Sequence, residues 1–325
     1  MNEFVAYGMC NPLFDLQSEV SDETLTALGY QKGSMSLISS DEQKAVISQV
    51  YSSIVNAESG GSGANSMMMI ALLGGRACYT GCVGDDEHAG LYRKGLEDWG
   101  VKSNLGEVSG DTGVSAVLIT PDAERTMLTC LGSSVQLDPD HVNWDDLRKS
   151  RYLYVTGYLW DTDTQKKTVL AAVHEAKKAG VKVAFSLSDG FCVTRHKDEF
   201  LTIVGEHVDV LFANLAEATT LTGIEDPHAA ATRLGEWVEI AAVTMGSEGS
   251  VVTSGANRVE IEPYQVKPVD VTGAGDSYAG AFLYGLAQEW SLAKCGRLAS
   301  FVGSQVVSHL GARIKTLNLR DIALD

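Results

Sequence analysis

An aspartate follows three small residues in the stretch DVTGAGDSYAGAFLYGL, residues 270–286, where a helix is predicted to begin. Apolar side chains recur at helical spacing from Tyr278 onward, so the small residues fall at or just before the first turn. They are Gly273, Ala274 and Gly275. Backbone N–H groups at a helix start lack intrahelical acceptors and lie at the positive end of the helix dipole, so they favour an anion. Asp276 adjoins them, and the pattern suits an enzyme that uses a carboxylate as a base beside a phosphate group.

Other interpretations of this stretch fit the residues less well. A dinucleotide fingerprint G-x-G-x-x-G would need glycine at position 278, which is tyrosine, and fewer than fifty residues follow to complete such a sheet. The chain contains no Gly-Lys pair for a Walker A loop. The pattern G-x-S-x-G of a serine nucleophile does not match around Ser277. An inert glycine-rich connection remains the alternative to an anion loop with a base.

A second glycine-rich stretch, GGSGAN at residues 60–65, precedes the apolar run MMMIALL. Glycines such as Gly61 let the backbone approach a ligand closely. The apolar run predicts a buried helix, and Asn65 stands at its start. Asn65 would therefore either cap the helix or present its amide to the hydroxyl groups of a ligand.

Two polar pairs follow predicted strands. Asn214 and Glu217 stand where a strand gives way to a helix, where a cap and a first-turn acid are a common structural pairing. At the carboxyl end of a parallel strand the same pair would order magnesium and its waters. Asn11 and Asp15 follow the first strand. A carboxylate there would accept hydrogen bonds from a vicinal diol, and a solvated turn acid is the alternative.

The stretch AAVTMGSEGSVV at residues 241–252 reads as a strand, a glycine turn and another strand. The residues at the turn are Thr244, Gly246, Ser247 and Gly249. A hairpin alone explains the pattern. Beside the other glycine-rich loops, the turn would form a wall for a nucleotide.

Composition excludes several classes of function. With 25 basic and 42 acidic side chains the formal net charge is −17, which opposes nucleic-acid backbones and anionic membranes. No apolar run reaches the roughly 18 residues of a membrane span, and the N-terminus lacks the basic start of a secretory signal. The six cysteines form no C-x-x-C pair, and no histidine pair has zinc-ligand spacing. We therefore expect a cytoplasmic protein with reduced thiols.

Short apolar strands alternate with amphipathic helices over most of the chain, as in DTQKKTVLAAVHEAKKAG followed by VKVAFSL. This alternation predicts an α/β protein with a mostly parallel sheet covered on both faces. Residues 12–40 and 112–131 break it with short half-polar strands, the second forming a hairpin around Pro121. We expect one domain over residues 1–325, in which these two regions form a small β-sheet. That sheet is either a lid over a ligand cleft or an extension of the main sheet edge.

These stretches, in this order, resemble the PfkB, or ribokinase-like, family of carbohydrate and nucleoside kinases. The resemblance runs from GMCNPLFD to SFVGSQVVSHLGAR and is strongest in GGSGANSMMMIALLGG and DVTGAGDSYAGAF. It implies a central, mostly parallel sheet with helices on both faces and a small β-sheet lid. It also implies an alcohol phosphotransferase that uses ATP and Mg²⁺ and, in some members, K⁺.

The resemblance assigns a role to each matching position. Asp276 would take the proton of the acceptor hydroxyl, and the amides of Gly273, Ala274, Gly275 and Asp276 would form the anion hole. The acceptor-binding positions match Asn11, Asp15, Gly61 and Asn65, and Arg125 in the predicted hairpin would face substrate or phosphate in the closed state. The nucleotide-binding positions match Asn214, Thr244, Gly246, Ser247 and Gly249. The cation positions match Glu217 for magnesium, through water, and Asp270 and Thr272 for a monovalent ion.

The acceptor is indicated by two motifs that point in different directions. NPLFD is similar to the NPLLD of adenosine kinases, in which the aspartate holds the ribose hydroxyls, whereas GGSGAN is nearer to the GGKGAN of ribokinases, with Ser62 in place of lysine. Side chains able to form an apolar slot for a base are Leu13, Met35, Tyr158 and Leu159. We expect an adenosine-like acceptor, with a free furanose or hexose as the alternative. A sugar or nucleotide sensor is the non-enzymatic hypothesis and a dehydrogenase the third; both a monomer and a homodimer fit the sequence.

Overall fold

The strands of this protein form three sheets in the computed structural model, which describes residues 2–122, 124–319 and 322. In chain order the strands are β1 (Phe4–Met9), β2 (Leu13–Glu19), β3 (Met35–Leu37), β4 (Ile54–Gly60), β5 (Ala77–Thr80), β6 (Cys82–Val83), β7 (Lys102–Ser103), β8 (Gly106–Glu107), β9 (Val114–Ile119), β10 (Arg125–Cys130), β11 (Ser150–Thr156), β12 (Lys182–Ser186), β13 (Val210–Asn214), β14 (Ile240–Thr244), β15 (Ser250–Ser254) and β16 (Asn257–Ile261). β6 and β8 pair in a two-stranded parallel sheet.

The central sheet has nine strands in the order β16-β15-β14-β13-β12-β11-β1-β5-β7. From β14 to β7 every pair is parallel, and β15 and β16 add an antiparallel edge. The sheet therefore confirms the predicted mostly parallel arrangement. Chain order reverses at β1, which lies between β11 and β5, and open α/β sheets bind ligands beyond the carboxyl ends of strands at such a point.

Helices α3 to α11 cover both faces of the central sheet. In chain order the helices are α1 (Asp22–Leu28), α2 (Ser40–Val50), α3 (Ser62–Leu72), α4 (Glu87–Asp98), α5 (Trp144–Arg148), α6 (Asp163–Ala179), α7 (Gly190–His207), α8 (Leu215–Thr222), α9 (Pro227–Trp237), α10 (Ala274–Ala287) and α11 (Leu292–Val307). Buried side chains of α5 to α9 form one core and those of α3, α4, α10 and α11 the other. α6 ends at Gly180, whose left-handed φ of 74° is the predicted glycine stop.

The six cysteines, all in the described part of the chain, are buried and form no disulfide. Within the described residues, no helix is both long and apolar enough to cross a bilayer.

The small sheet has five strands in the order β3-β10-β9-β2-β4. The predicted hairpin is present as β9 and β10. α1 and α2 cover one face of the sheet through apolar side chains such as Val46 and Leu128. Strand β4 lies outside the two predicted regions, because Asn56, Glu58 and Ser59 give it little of the β-branched character from which strands are recognised. It is a strand because it pairs with β2.

Candidate active site

A cavity of about 360 Å³ lies between the carboxyl ends of the central strands and the inner face of the small sheet. Most of the predicted site residues line it. They are Asn11, Asp15, Gly61, Asn65, Asn214, Glu217, Thr244, Thr272, Gly273, Gly275 and Asp276. The structure thus brings together residues from almost the whole length of the chain.

A second cavity, of about 290 Å³, adjoins the first. The predicted turn after β14 lines it with Gly246, Ser247 and Gly249, and Ala274 lies opposite. Its apolar lining comes largely from the connection between β16 and α10, with Tyr264, Val266 and Pro268. Both cavities are lined by Thr244, Gly275 and Tyr278. The two cavities therefore meet at the start of α10.

The backbone at the start of α10 has the form that an anion hole requires. Gly273 is the N-cap, with a left-handed φ of 74°, and a Cβ there would overlap the carbonyl oxygen of Ala312. The N–H of Ala274 lies 3.3 Å from the oxygen of Val271. Within the described chain, the N–H groups of Gly275 and Asp276 have no protein acceptor. Two donors at the positive end of a helix are therefore available to an anion.

Asp276 lies in the first turn of α10, and its carboxyl group is enclosed by protein although part of it opens into the first cavity. Its Oδ2 accepts a hydrogen bond of 2.9 Å from Nδ2 of Asn65. Burial raises the pKa of Asp276 to about 6, against the opposing effects of the hydrogen bonds from Asn65 and Ser62 and of the Arg313 charge. A carboxylate with this pKa is a stronger base than an ordinary aspartate but is still deprotonated at neutral pH.

Asn65 does not cap α3, and both ends of its side-chain amide are hydrogen-bonded to other residues. The N-cap of α3 is Gly61, with φ of 92°, and Asn65 lies inside the helix and is buried. Its Nδ2 donates to Asp276, and its Oδ1 accepts a 2.8 Å hydrogen bond from Nη1 of Arg313. The expectation that Asn65 begins the helix was wrong because the helix starts within the glycine-rich stretch, before the apolar run. The role of Arg313 was not predicted, since a single arginine after a predicted helix carries no pattern.

Asp15 and Asn11 line the first cavity with polar groups. Burial raises the pKa of Asp15 to about 7, while Arg313 and Arg125 lower it and Glu58 raises it further. A Cβ at position 60 would overlap the Asp15 carboxylate, so Gly60 leaves room for this side chain in its present position. The Asn11 amide is held at both ends: Nδ2 donates to the oxygen of Tyr158 at 3.3 Å, and Oδ1 accepts from Gln165 at 2.7 Å.

Other side chains that line the first cavity are apolar and form its apolar wall. Leu13, Met35 and Tyr158 belong to it, as predicted for a slot that holds a base. Leu37 and Met127 of the small sheet and Leu131, which follows β10, add to it. Leu159 is fully buried in the core beneath the central sheet and does not line the cavity. The prediction for Leu159 was wrong because a 3₁₀ helix, Gly157–Trp160, turns neighbouring side chains in different directions.

Asn214 and Glu217 form the capping box of α8, so the structural interpretation of this pair is confirmed. The Asn214 side chain accepts from the N–H of Glu217 at 2.9 Å, and the Glu217 carboxylate accepts from the backbone and side-chain N–H groups of Asn214 at 2.9 and 2.7 Å. Burial raises the pKa of Glu217 to about 7. Both residues also line the first cavity, so the cap holds a carboxylate at the carboxyl end of β13.

The donor set fits magnesium that is held mainly by phosphate and water. Among the residues that the structure describes, no group of three or more His, Cys, Asp or Glu side chains could hold a metal by itself. Magnesium commonly keeps several waters and binds one or two carboxylates together with substrate phosphates. Among the described residues, each Glu217 oxygen accepts one hydrogen bond, which leaves lone pairs for a magnesium-bound water.

The residues around Asp270 do not fit the monovalent cation that the resemblance implies. Its Oδ2 lies 2.8 Å from Nη2 of Arg125 and accepts from the N–H of Gly311 at 2.7 Å. Its Oδ1 accepts from the N–H of Thr272 at 3.0 Å. The guanidinium already supplies the positive charge beside this buried carboxylate. In this structure the Arg125 side chain is buried against Asp270, with 9% exposed, and its contact with substrate or phosphate in the closed state stays a prediction.

The chain is similar to known carbohydrate and adenosine kinases. The profile described as "pfkB family carbohydrate kinase" matches residues 34–318. An adenosine kinase of Dictyostelium discoideum is 26% identical across 94% of both chains. The solved structure of a probable sugar kinase from Rhizobium etli is 33% identical, with a TM-score of 0.90 over 97% of this chain and 96% of that one. An adenosine kinase from Sinorhizobium meliloti is 36% identical, with a TM-score of 0.88 over 96% of both chains.

The family match spans residues 34–318, and the two solved structures cover 97% and 96% of this chain. Relatives named as adenosine kinases and relatives named as sugar kinases both occur among them. All of them are kinases, and the family uses ATP as the phosphoryl donor. From its sequence match and its fold, the chain belongs to the pfkB family of carbohydrate kinases.

Proposed function

We propose that this kinase transfers the γ-phosphoryl group of ATP to the primary hydroxyl of an adenosine-like nucleoside. The observation that carries the proposal is that polar and apolar side chains line the same cavity. Asp15 and Asn11 lie in it together with the aliphatic and aromatic side chains of the apolar wall. A carboxylate suits a ribose diol and an apolar wall suits a purine, whereas a free sugar would leave that wall against water. The similarity to adenosine kinases supports the same acceptor.

The chemistry of the proposal follows from the start of α10. Asp276 accepts the proton of the acceptor hydroxyl as the hydroxyl attacks the γ-phosphorus, and ADP leaves toward the second cavity. Phosphoryl transfer spreads charge over the equatorial oxygens. The N–H groups of Gly275 and Asp276 are fixed by the helix before the reaction, so they stabilise this charge without reorganisation. The turn containing Thr244 and Gly246 would contact the nucleotide in the second cavity, and Asn214 its phosphates.

Magnesium would be held by the ATP phosphates and by water hydrogen-bonded to Glu217. Its charge would offset that of the phosphates near the Glu217 carboxylate. A nearby magnesium ion favours the charged form of a carboxylate, so we expect the buried Glu217 side chain to be ionised in the complex.

The small sheet is proposed as a lid over the first cavity. The predicted regions 12–40 and 112–131 are extended here by β4. The lid would carry Asp15 and the apolar wall toward the acceptor, and closure would exclude the water that otherwise competes for the phosphoryl group. A cytoplasmic location and a monomeric or homodimeric state remain predictions from the sequence.

A free sugar is the second candidate acceptor, and one observation favours it. Ser62 lines the first cavity in the stretch GGSGAN that is similar to ribokinases, and its hydroxyl adjoins Asp276. A serine there would add a hydrogen-bonding group for a further sugar hydroxyl. The probable sugar kinase from Rhizobium etli supports this alternative.

Asp15→Asn tests the nucleoside assignment. The substitution keeps the shape of the side chain but removes the charge that would accept hydrogen bonds from the ribose diol. We expect kcat/KM for adenosine to fall about 10- to 100-fold, as for a lost charge-assisted hydrogen bond. With 2′,3′-dideoxyadenosine, which has no diol, the same substitution should have little further effect. Steady-state kinetics with both acceptors measures the difference.

The control for this experiment is Asp41→Asn, an exposed aspartate in the first turn of α2. It should leave both acceptors unaffected. Equal losses on adenosine and dideoxyadenosine in Asp15→Asn would show that Asp15 does not contact the diol.

Potassium is expected to have little influence on turnover, because Arg125 already balances the charge of Asp270. Replacement of K⁺ by tetramethylammonium at constant ionic strength should change kcat by less than about threefold. Arg125→Gln leaves the buried carboxylate without its partner, so this variant should gain a requirement for K⁺. A loss of kcat of tenfold or more when potassium is removed from the wild-type protein would contradict this charge balance. A factor of ten corresponds to about 1.4 kcal/mol.

A further inference from the structure

Arg313 connects the small sheet to the catalytic carboxylate. Its side chain is 5% exposed, and Nη2 lies 2.8 Å from Oε2 of Glu58. Nη1 donates both to the backbone oxygen of Ser59 and to Oδ1 of Asn65, the latter at 2.8 Å. Glu58 and Ser59 belong to β4. One guanidinium is therefore bonded to a strand of the small sheet and to the side chain that contacts Asp276.

These bonds determine which way the Asn65 amide points. A guanidinium can only donate hydrogen bonds, so it requires the oxygen of the amide. The amide nitrogen is thereby directed to Asp276, whose ionised carboxylate can only accept and receives it at 2.9 Å. With the amide reversed, both contacts would be repulsive. Arg313 thus holds the Asn65 N–H group in place as a donor to Asp276, although Arg313 does not contact Asp276 itself.

We propose that Arg313 is a positioning residue for phosphoryl transfer, which acts through Asn65 to hold the Asp276 carboxylate ionised and directed at the acceptor hydroxyl. This inference rests on the role proposed for Asp276 as the base. It adds a function for the C-terminal segment that follows α11. It also gives Asn65 a second role besides any contact with the acceptor.

The charge of Arg313 matters because of what surrounds Asp276. Several charged and titratable groups lie near enough to interact electrostatically with Asp276. They are Arg313, Asp15, Glu217, Tyr154, Tyr158 and Cys10. Among them the guanidinium is the cation, and it lowers the pKa of Asp276 against the effect of burial. Without Arg313 the pKa of Asp276 rises above its present value of about 6. The base is then protonated over a wider range of acidic pH.

The proposal is tested by Arg313→Gln, measured with whichever acceptor the wild-type protein phosphorylates. We expect kcat to fall about 10- to 100-fold at neutral pH, as for one charge-assisted hydrogen bond lost in a buried pair. The acidic limb of the kcat–pH profile should move to higher pH, so that the loss is larger at pH 6 than at pH 8. In an Asp276→Asn background the substitution should cause no further loss of kcat, because there is no base left to position.

A chemically matched control separates positioning from anchoring of the small sheet. Glu58→Gln removes the β4 charge that pairs with Arg313 but leaves the bonds of Arg313 to Asn65 and to the Ser59 oxygen. It should lower stability, because the pair is partly buried, while kcat falls far less than in Arg313→Gln and the acidic limb stays in place. Arg313→Ala should recover part of its kcat and its original pH profile on addition of guanidinium chloride, but not of sodium chloride at equal ionic strength. If Arg313→Gln does not fold, Arg313→Lys provides the test, since it keeps the charge but loses the second donor of the fork.

Three results would overturn the proposal. The first is an unshifted pH profile in Arg313→Gln, the second is an equal loss in Glu58→Gln, and the third is additive losses with Asp276→Asn. Failure of the base assignment is recognised separately, since Asp276→Asn alone would then retain turnover.

Discussion

Asp276→Asn is expected to lower kcat by about 10²- to 10⁴-fold, the range of general-base catalysis, while ATP and the acceptor still bind. The asparagine keeps the size of the side chain and can still accept a hydrogen bond from Asn65, so the loop should retain its form. What it loses is the ability to take a proton. Steady-state kinetics gives kcat, and calorimetric titration with a non-hydrolysable ATP analogue shows whether binding remains.

Ser277→Ala is the control for Asp276→Asn. Ser277 is the next residue in the same helical turn, and its buried hydroxyl has no hydrogen-bond partner in the described part of the chain. The alanine variant should therefore keep kcat near that of the wild type. Turnover in Asp276→Asn close to that of the Ser277 variant would remove Asp276 from its proposed role.

Gly273→Ala should cause the second large loss, of about 10²- to 10³-fold in kcat, by displacing the donors of the anion hole. Gly273 has φ of 74°, a conformation that residues with a Cβ adopt only at a cost. The new methyl group would also overlap the carbonyl oxygen of Ala312. Because both obstacles lie at the N-cap of α10, the loop must move, and the N–H groups of Gly275 and Asp276 move with it.

Gly255→Ala distinguishes backbone strain from loss of the anion hole. Gly255 also has a positive φ, of 55°, but it lies in the turn between β15 and β16, where a Cβ would have no described neighbour within 4 Å. This variant should lose some thermal stability and keep its kcat. Equal kcat values for the two alanine variants would show that the form of the loop at Gly273 does not matter for the reaction.

The sequence was sufficient to predict the central sheet and the loops at its carboxyl ends. Apolar runs separated by amphipathic helices leave few arrangements other than a covered parallel sheet, and such loops must then meet at one edge. The capping box of Asn214 and Glu217 was recognised because its spacing is local. Strand β4 was missed because its stability comes from pairing with β2, and pairing between distant segments leaves no local pattern.

The contacts of the site side chains could not be predicted for a similar reason. Asn65 and Arg313 are 248 residues apart, and neither has a neighbour in sequence that signals their hydrogen bond. Arg125 is recognisable as a cation in a hairpin, yet only the folded chain shows that it lies against Asp270. Residue types and spacing thus indicated which chemistry is present, while the partners that orient each group depend on tertiary packing.

The most direct test of the central proposal is ATP consumption by the purified protein with adenosine, 5′-deoxyadenosine and free ribose as acceptors, in the presence of Mg²⁺. We predict saturable turnover with adenosine and a product phosphorylated at the primary hydroxyl. 5′-Deoxyadenosine, which lacks that hydroxyl, should give no turnover, and ribose should have a much lower kcat/KM because it leaves the apolar wall uncovered. Turnover with ribose or another free sugar but not with adenosine would contradict the nucleoside assignment.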